Sequence, residues 1–481
     1  MIYKAKIVQE YQSVLHTCAY SKLPTRRKCF KWVDKDYCES KVDAMKTDLD
    51  DMEKARREYL EEIRSVSPAQ FDPAKWDNLR KLVYPPYPLK VDVVIDDTTL
   101  REGLQMAGLT SPMPENASRI ATMLRDVGVE RLEVLTYTKS DQQAVEMMKD
   151  NGLEDIIAAW CRSTKEDVDI ALKSGFKQVG ISHPVSYIHF EKWMDVPLGK
   201  LIERVVSTVE YAVDHGLTVF VHGEDSTRAD WKFERTFVNA VAEAGAKVYR
   251  ICDTVGCGSS DRQAPLPYGI PAKIKALKEE TKIPYVEVHA HDDLGNAVEN
   301  TMAAIRAASG LYDKFYASTT MLGIGDRAGN AETEKIILNC YFHHGISKWN
   351  LSTLRDLALL MASSINYHLP LNKAIVGDAA FAHESGIHVQ GVSTLPLTYE
   401  LFPPELVGQK RTIVIGKRSG KHGVKLKVEE MIGKEINEND PRLAQLVDMI
   451  KEKFVEGRRR YPIKDQEFRG YMRKVGFEIS G

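Results

Sequence analysis

His289 and His291 stand two residues apart in His289-Ala290-His291-Asp292-Asp293. On a strand this spacing turns both imidazoles to one side, within reach of a single cation. Two imidazoles plus a carboxylate, with positions left open, suit a divalent metal that also binds substrate oxygens. Glu102, in Asp97-Thr98-Thr99-Leu100-Arg101-Glu102-Gly103-Leu104-Gln105, is the obvious carboxylate. Two buried, hydrogen-bonded histidines would leave the same trace in the sequence. Arg101 beside a metal could bind a carboxylate or polarise a carbonyl as negative charge develops; its other reading is an ion pair with Asp97 or Glu224. Thr254 could offer a hydroxyl to a substrate carboxylate or close a strand-end turn.

Groups this far apart meet only where a fold gathers several strand ends. Short β-rich segments recur at 91–95, 131–135, 156–161, 178–182, 218–222, 247–253, 285–291 and 314–320, with helix-like stretches between them. Such alternation predicts parallel βαβ units, since a parallel neighbour needs a long crossover. Eight units over about 250 residues is the size of a closed (β/α)8 barrel. An open doubly wound sheet fits less well, because no Gly-x-Gly-x-x-Gly loop follows the first strand. In such barrels the active site lies where strands end, and the chemistry-bearing residues collect there: Asp96 to Gln105, His222 to Asp225, Asp253 to Gly256, and His289 to Asp293.

Residues 1–88 differ in character, being rich in charge and aromatic side chains. Apolar residues at 42, 45, 49, 52, 59 and 63 predict one amphipathic helix. Cys18, Cys29 and Cys38 lie near His16 and basic residues, but their spacing matches no familiar zinc motif. The proline-rich run Tyr84 to Pro88 marks a boundary. The sequence thus divides into an N-terminal helical extension (1–88), a catalytic α/β TIM barrel (89–350), a linker subdomain (351–425) and a small α-rich C-terminal subdomain (426–481). With 66 Lys+Arg against 68 Asp+Glu the net charge is -2, which gives no general attraction for nucleic acid or anionic membranes. No signal peptide or membrane span is evident, and seven scattered cysteines suit reduced thiols, so a cytoplasmic enzyme is expected.

The motif set Asp97-Thr98-Thr99-Leu100-Arg101-Glu102-Gly103, His289-Ala290-His291-Asp292-Asp293-Leu294-Gly295 and Gly325-Asp326-Arg327-Ala328-Gly329-Asn330-Ala331 resembles the DRE-TIM metallolyase superfamily. Ala382-His383-Glu384-Ser385-Gly386-Ile387-His388 and Thr398-Tyr399-Glu400 resemble segments peculiar to its Claisen-condensing members, the isopropylmalate, homocitrate, citramalate and Re-type citrate synthases. The resemblance spans about 92 to 425. It implies Glu102, His289 and His291 as metal ligands with Asn330 in or near the shell. It implies that the metal chelates a 2-oxo acid, that Arg101 polarises its keto group, and that Thr254 holds its carboxylate. His388, with Tyr399 and Glu224, would belong to the relay that deprotonates the methyl group of acetyl-CoA or a related acyl-CoA. Gln105, Arg162 and His222 complete the candidate substrate contacts. A domain-swapped homodimer is implied, in which the His388 and Tyr399 segments cross to the other subunit. Mn2+, Mg2+, Co2+ and Zn2+ all suit such a donor set.

Several positions depart from the pattern. Homocitrate synthases usually carry an arginine four residues before the strand-five glutamate; here that residue is Phe220, and His222 replaces an intervening serine. Leu135-Thr136-Tyr137 does not resemble the Gly-Phe-Pro usual in isopropylmalate synthases, and Asp326 stands for a glutamate. Arg162, Lys139, His183 and His189 lie near other strand ends and could bind a second carboxylate or sit in solvated loops. The alternative reaction is the bond cleavage of hydroxymethylglutaryl-CoA lyases, but those place a cysteine in the loop after strand eight, and 323–330 has none.

Overall fold

The computed structural model describes residues 35–66, 71–455 and 459–479. Chain contacts divide it into two units, Met1–Val66 and Ser67–Gly481. In the first, one long helix, α1 (Lys35–Val66), carries the expected three-four pattern and extends beyond it at both ends. His16, Cys18 and Cys29 lie outside the described residues.

The second unit is built on eight parallel strands that close in sequence order. They are β1 (Asp92–Asp97), β2 (Arg131–Val134), β3 (Ile157–Arg162), β4 (Gln178–Pro184), β5 (Thr218–Glu224), β6 (Val248–Asp253), β7 (Tyr285–Ala290) and β8 (Lys314–Thr319). Closure comes from β8 pairing back onto β1, with Asp92 opposite Lys314 and Asp97 opposite Thr319. Each strand starts and ends within two residues of its predicted position. β1, β4 and β5 each run two residues past their predicted ends, and β4 and β5 stay paired up to Pro184 and Glu224, so each prolongs the other. A helix follows each strand, and the first turns carry the signals expected of them. Thr138 and Asp141 form a reciprocal capping box at the helix after β2, and Thr164 caps the one after β3.

Valine and isoleucine on the outward faces pack under these helices; Val93, Ile95, Val219, Val221, Val286 and Val288 are all buried. The inward faces are different. Where such barrels are filled mainly by branched aliphatic layers, this one holds a buried charge network. Arg250 lies 2.9 Å from Asp96, 3.0 Å from Glu133 and 2.9 Å from Glu287. Arg131 contacts Asp96, lies 3.4 Å from Glu133, and stacks 3.9 Å over Phe220.

The sequence predicts a boundary at residue 88, whereas the helix Pro73–Val83 already belongs to the barrel unit. Its Arg80 is buried and donates to the carbonyl oxygens of Tyr341 and Phe342, and its Trp76 ring packs on Phe342. At the other end, Ile415 and Val424 join Leu443, Leu446, Ile450, Phe468 and Met472 in a separate small core. That core begins before residue 426, where the sequence places the last subdomain. No helix among the described residues is long and apolar enough to cross a membrane.

Candidate active site

At the end of the barrel where strands terminate, a cavity of about 280 Å³ is lined by Arg101, Glu102, Gln105, Thr254, His222 and Glu224, by His289 and His291, and by Trp160, Ser182, Arg250, Cys252, Asp326 and Arg327. Glu102, His289 and His291 each present a ligand atom, all within 4.8 Å of one another. The fold positions them locally. Glu102 opens a short 3-10 turn after β1, His289 belongs to β7, and His291 lies just past it, bridged to Asn330. That antiparallel bridge places Asn330 beside the pair, its side-chain nitrogen 3.4 Å from His289 Nε2.

These donors fit a divalent cation. Burial pushes the pKa of His289 well below its ordinary value, and the neighbouring His291, Arg250 and Arg101 push the same way. Burial lowers that of His291 as well. Both imidazoles are therefore neutral at physiological pH, the form in which they bind metals. His289 Nδ1 lies 2.9 Å from Ser318 Oγ, which fixes the ring and leaves Nε2 to face the cavity partners. His291 Nε2 faces Glu102 Oε1 at 3.8 Å, so this nitrogen and the carboxylate look onto the same point.

Arg101 is held on three sides. It contacts Glu102, its Nε lies 3.8 Å from Glu133 Oε2, and its guanidinium stacks 4.7 Å above the Trp160 ring. Thr254 Oγ1 accepts from the Asp225 backbone, leaving its own proton to donate. Glu224 is partly exposed at the mouth, with His189 Nδ1 at 3.2 Å. Arg327, at a φ of 56°, donates to Asp293 and to the Thr254 carbonyl, so one side chain ties together the loops after β6, β7 and β8.

Four expected site residues do not line this cavity: Asn330, buried beside the histidines, and three that stand well outside it. Arg162 points to solvent and forms a two-pronged pair with Asp167 at 3.0 and 2.7 Å. His388 and Tyr399 pack against each other with tilted rings whose centroids are 4.2 Å apart, both exposed, on the segment beyond the barrel. Of the other candidates, His183 is buried against Trp193 and Phe237, and Lys139 begins the helix after β2. Sequence reasoning missed Trp160, Ser182, Arg250 and Cys252. Their alternation along the strands marks one face of a sheet, and only the closure of the barrel makes that face its interior.

The HMGL-like family profile matches residues 92–361, over half of the chain. The chain belongs to this family. A second profile, "Homocitrate synthase post-HMGL domain-like", matches 375–457 and places the chain in the acyltransferase branch of the DRE-TIM enzymes. A 2-isopropylmalate synthase of Methanocaldococcus jannaschii is 34% identical over 374 residues, covering 76% of this chain and 69% of that one. Homocitrate synthase 1 of Nostoc sp. is 37% identical over 341 residues, covering 70% and 87%. An (R)-citramalate synthase of M. jannaschii is 34% identical over 363 residues, covering 75% and 70%. Three differently named relatives stand at nearly the same distance, so identity alone selects no 2-oxo acid.

Proposed function

We propose that this chain condenses acetyl-CoA with a 2-oxo acid and hydrolyses the resulting thioester, with a divalent metal at Glu102, His289 and His291 and with Asn330 beside it. The observation that carries the reading is the convergence of those three ligand atoms within 4.8 Å at the barrel mouth, next to a clamped arginine. When bound, the metal supplies Lewis-acid polarisation and a template for the acid's oxygens. Arg101 holds positive charge against the keto oxygen as it becomes an alkoxide. Thr254 donates its hydroxyl to the carboxylate, and Gln105 lies across the mouth. Glu224 and the His388–Tyr399 pair move the methyl proton of acetyl-CoA. The methyl carbon then bonds to the keto carbon, the alkoxide takes a proton, and water splits the thioester into a carboxylate and free CoA thiol.

The test is CoA-thiol release from acetyl-CoA with Mn2+ and a panel of 2-oxo acids, with and without chelator. Chelator-sensitive release is expected with at least one acid, and none with any acid in metal-loaded protein would refute the reading. Glu102→Ala is expected to lose metal and turnover together. Equilibrium dialysis should show its Mn2+ affinity reduced by about 10-fold or more, and wild-type affinity would remove Glu102 from the ligand set.

His388 and Tyr399 do not line the cavity of their own chain, and they serve the cavity of a second copy in the domain-swapped homodimer proposed here. Co-expressed Arg101→Ala and His388→Ala chains, each inactive alone, then regain activity, because each mixed dimer keeps one intact site. Random pairing gives about a quarter of wild-type activity. No recovery in an isolated mixed dimer would place His388 in its own chain's site.

A further inference from the structure

One wall of the cavity carries buried polar groups left without a hydrogen-bond partner among the described residues. The Trp160 indole nitrogen is buried without a hydrogen-bond partner, and so is His222 Nδ1, while His222 Nε2 faces Glu133 Oε1 at 3.4 Å. Trp160, Ser182 and His222 stand on β3, β4 and β5, and Ser182 is the register partner of His222. The same wall offers no free cation. Arg250 is engaged by Asp96, Glu133 and Glu287, and Arg162 is held outside by Asp167.

The wall is also shallow. His222 occupies the space over Gly180, where an added Cβ would lie 2.4 Å from the imidazole Cε1 and 2.7 Å from Glu133 Oε1. One step earlier on the same strand, buried Phe220 sits under the Arg131 guanidinium and against the Tyr316 ring, closing the barrel below.

We propose that the 2-oxo acid taken by this site is a short dicarboxylate, whose second carboxylate lies one carbon from the keto group and is received by Trp160, Ser182 and His222. This rests on the acyl-transfer reading above and names the substrate class. The indole N–H can only donate, so its ligand partner is an acceptor. A carboxylate has enough lone pairs to accept from all three side chains, whereas an aliphatic branch would leave them buried and unpaired. Sites built to hydrogen-bond a substrate group reject analogues lacking it by up to about 10⁴-fold or more. The space taken by His222 excludes a longer spacer.

The experiment compares kcat/KM for oxaloacetate, 2-oxoglutarate, pyruvate and 2-oxoisovalerate in the Mn2+-loaded full chain. Oxaloacetate is expected to exceed pyruvate and 2-oxoisovalerate by about 100-fold or more. Trp160→Phe, which keeps a ring and removes the N–H, and His222→Leu should each reduce that ratio by about 10-fold. Equal or better use of pyruvate or the branched acid overturns the proposal, as does a ratio unchanged in both variants. Preference for 2-oxoglutarate overturns the short spacer. Should no acid support turnover, the acyl-transfer reading fails, and calorimetric binding of the same four acids to the Mn2+ protein decides this inference separately. Tighter binding of oxaloacetate upholds it; equal or weaker binding overturns it.

Discussion

Arg101→Ala is expected to lower kcat by about 10²- to 10³-fold or more while Mn2+ is still bound. The guanidinium is nearly buried between Glu102, Glu133 and the Trp160 ring, so its charge is oriented before substrate arrives and needs no rearrangement as the keto oxygen becomes anionic. Glu102 gives one carboxylate oxygen to Arg101 and turns the other toward His291 at 3.8 Å, which is why the metal ligands survive the substitution. Arg101→Lys is expected to fall almost as far, because an ammonium replaces neither the planar stacking nor the forked donors. Single-turnover rates, measured beside Mn2+ stoichiometry, separate the outcomes. Wild-type turnover in Arg101→Ala would remove the residue from the chemistry, and loss of the metal would make it a structural prop for Glu102.

The second large effect concerns stability. Arg250→Met leaves Arg131 to pair with the buried Asp96 and Glu133 and takes the ion pair from Glu287, and removing one member of a buried ion network costs about 3–5 kcal/mol. Urea unfolding measures it, and a change under about 1 kcal/mol would mean that water enters the barrel to solvate the carboxylates. The three acids are not equivalent. Burial alone would raise the pKa of Glu133, but Arg250, His222 and Arg131 hold it well below its ordinary value. Burial, with Asp96 adding to it against the pull of Arg250, carries Glu287 well above its own. Glu133 therefore contributes stability that is present above its unfolded pKa and lost in acid. Glu287 keeps its proton in the folded state, so its contribution is complete below the unfolded value and declines as pH rises through the raised one. Glu287→Gln, which mimics the protonated acid, should be at least as stable as wild type at neutral pH and lose that decline with rising pH. Glu133→Gln should destabilise at every pH above the acid range.

The strands were legible because their outward residues are apolar and closely spaced, and the metal-ligand candidates because the two histidines stand alongside the Arg101-Glu102 motif at another strand end; the histidine pair alone had an equally good structural reading. Arg131, Glu133, Arg250 and Glu287 were not legible as interior. Charge alternating with valine or leucine reads as a strand with one wet face, and only closure of the sheet turns that face inward. Trp160 looked like strand filling for the same reason. Arg162 was misleading in the opposite sense: it ends β3 as a ligand should, but Asp167, five residues on, captures it locally. His388 and Tyr399 were legible through the family resemblance alone, since no spacing links the segment after residue 380 to a barrel mouth.

Gly180 and His222 also bear on heredity. The His222 ring fills the space a side chain at 180 would need, so residue 180 is fixed as glycine while His222 is kept, whereas residue 222 can shrink with Gly180 in place. A single change from Gly180 to any other residue drives its Cβ into the imidazole and the Glu133 carboxylate, and lineages that pass through it are removed before substrate choice comes under selection. Descendants that fill residue 180 must therefore first shrink residue 222 and move the Glu133 carboxylate, an order that reconstructed ancestors of this branch should record.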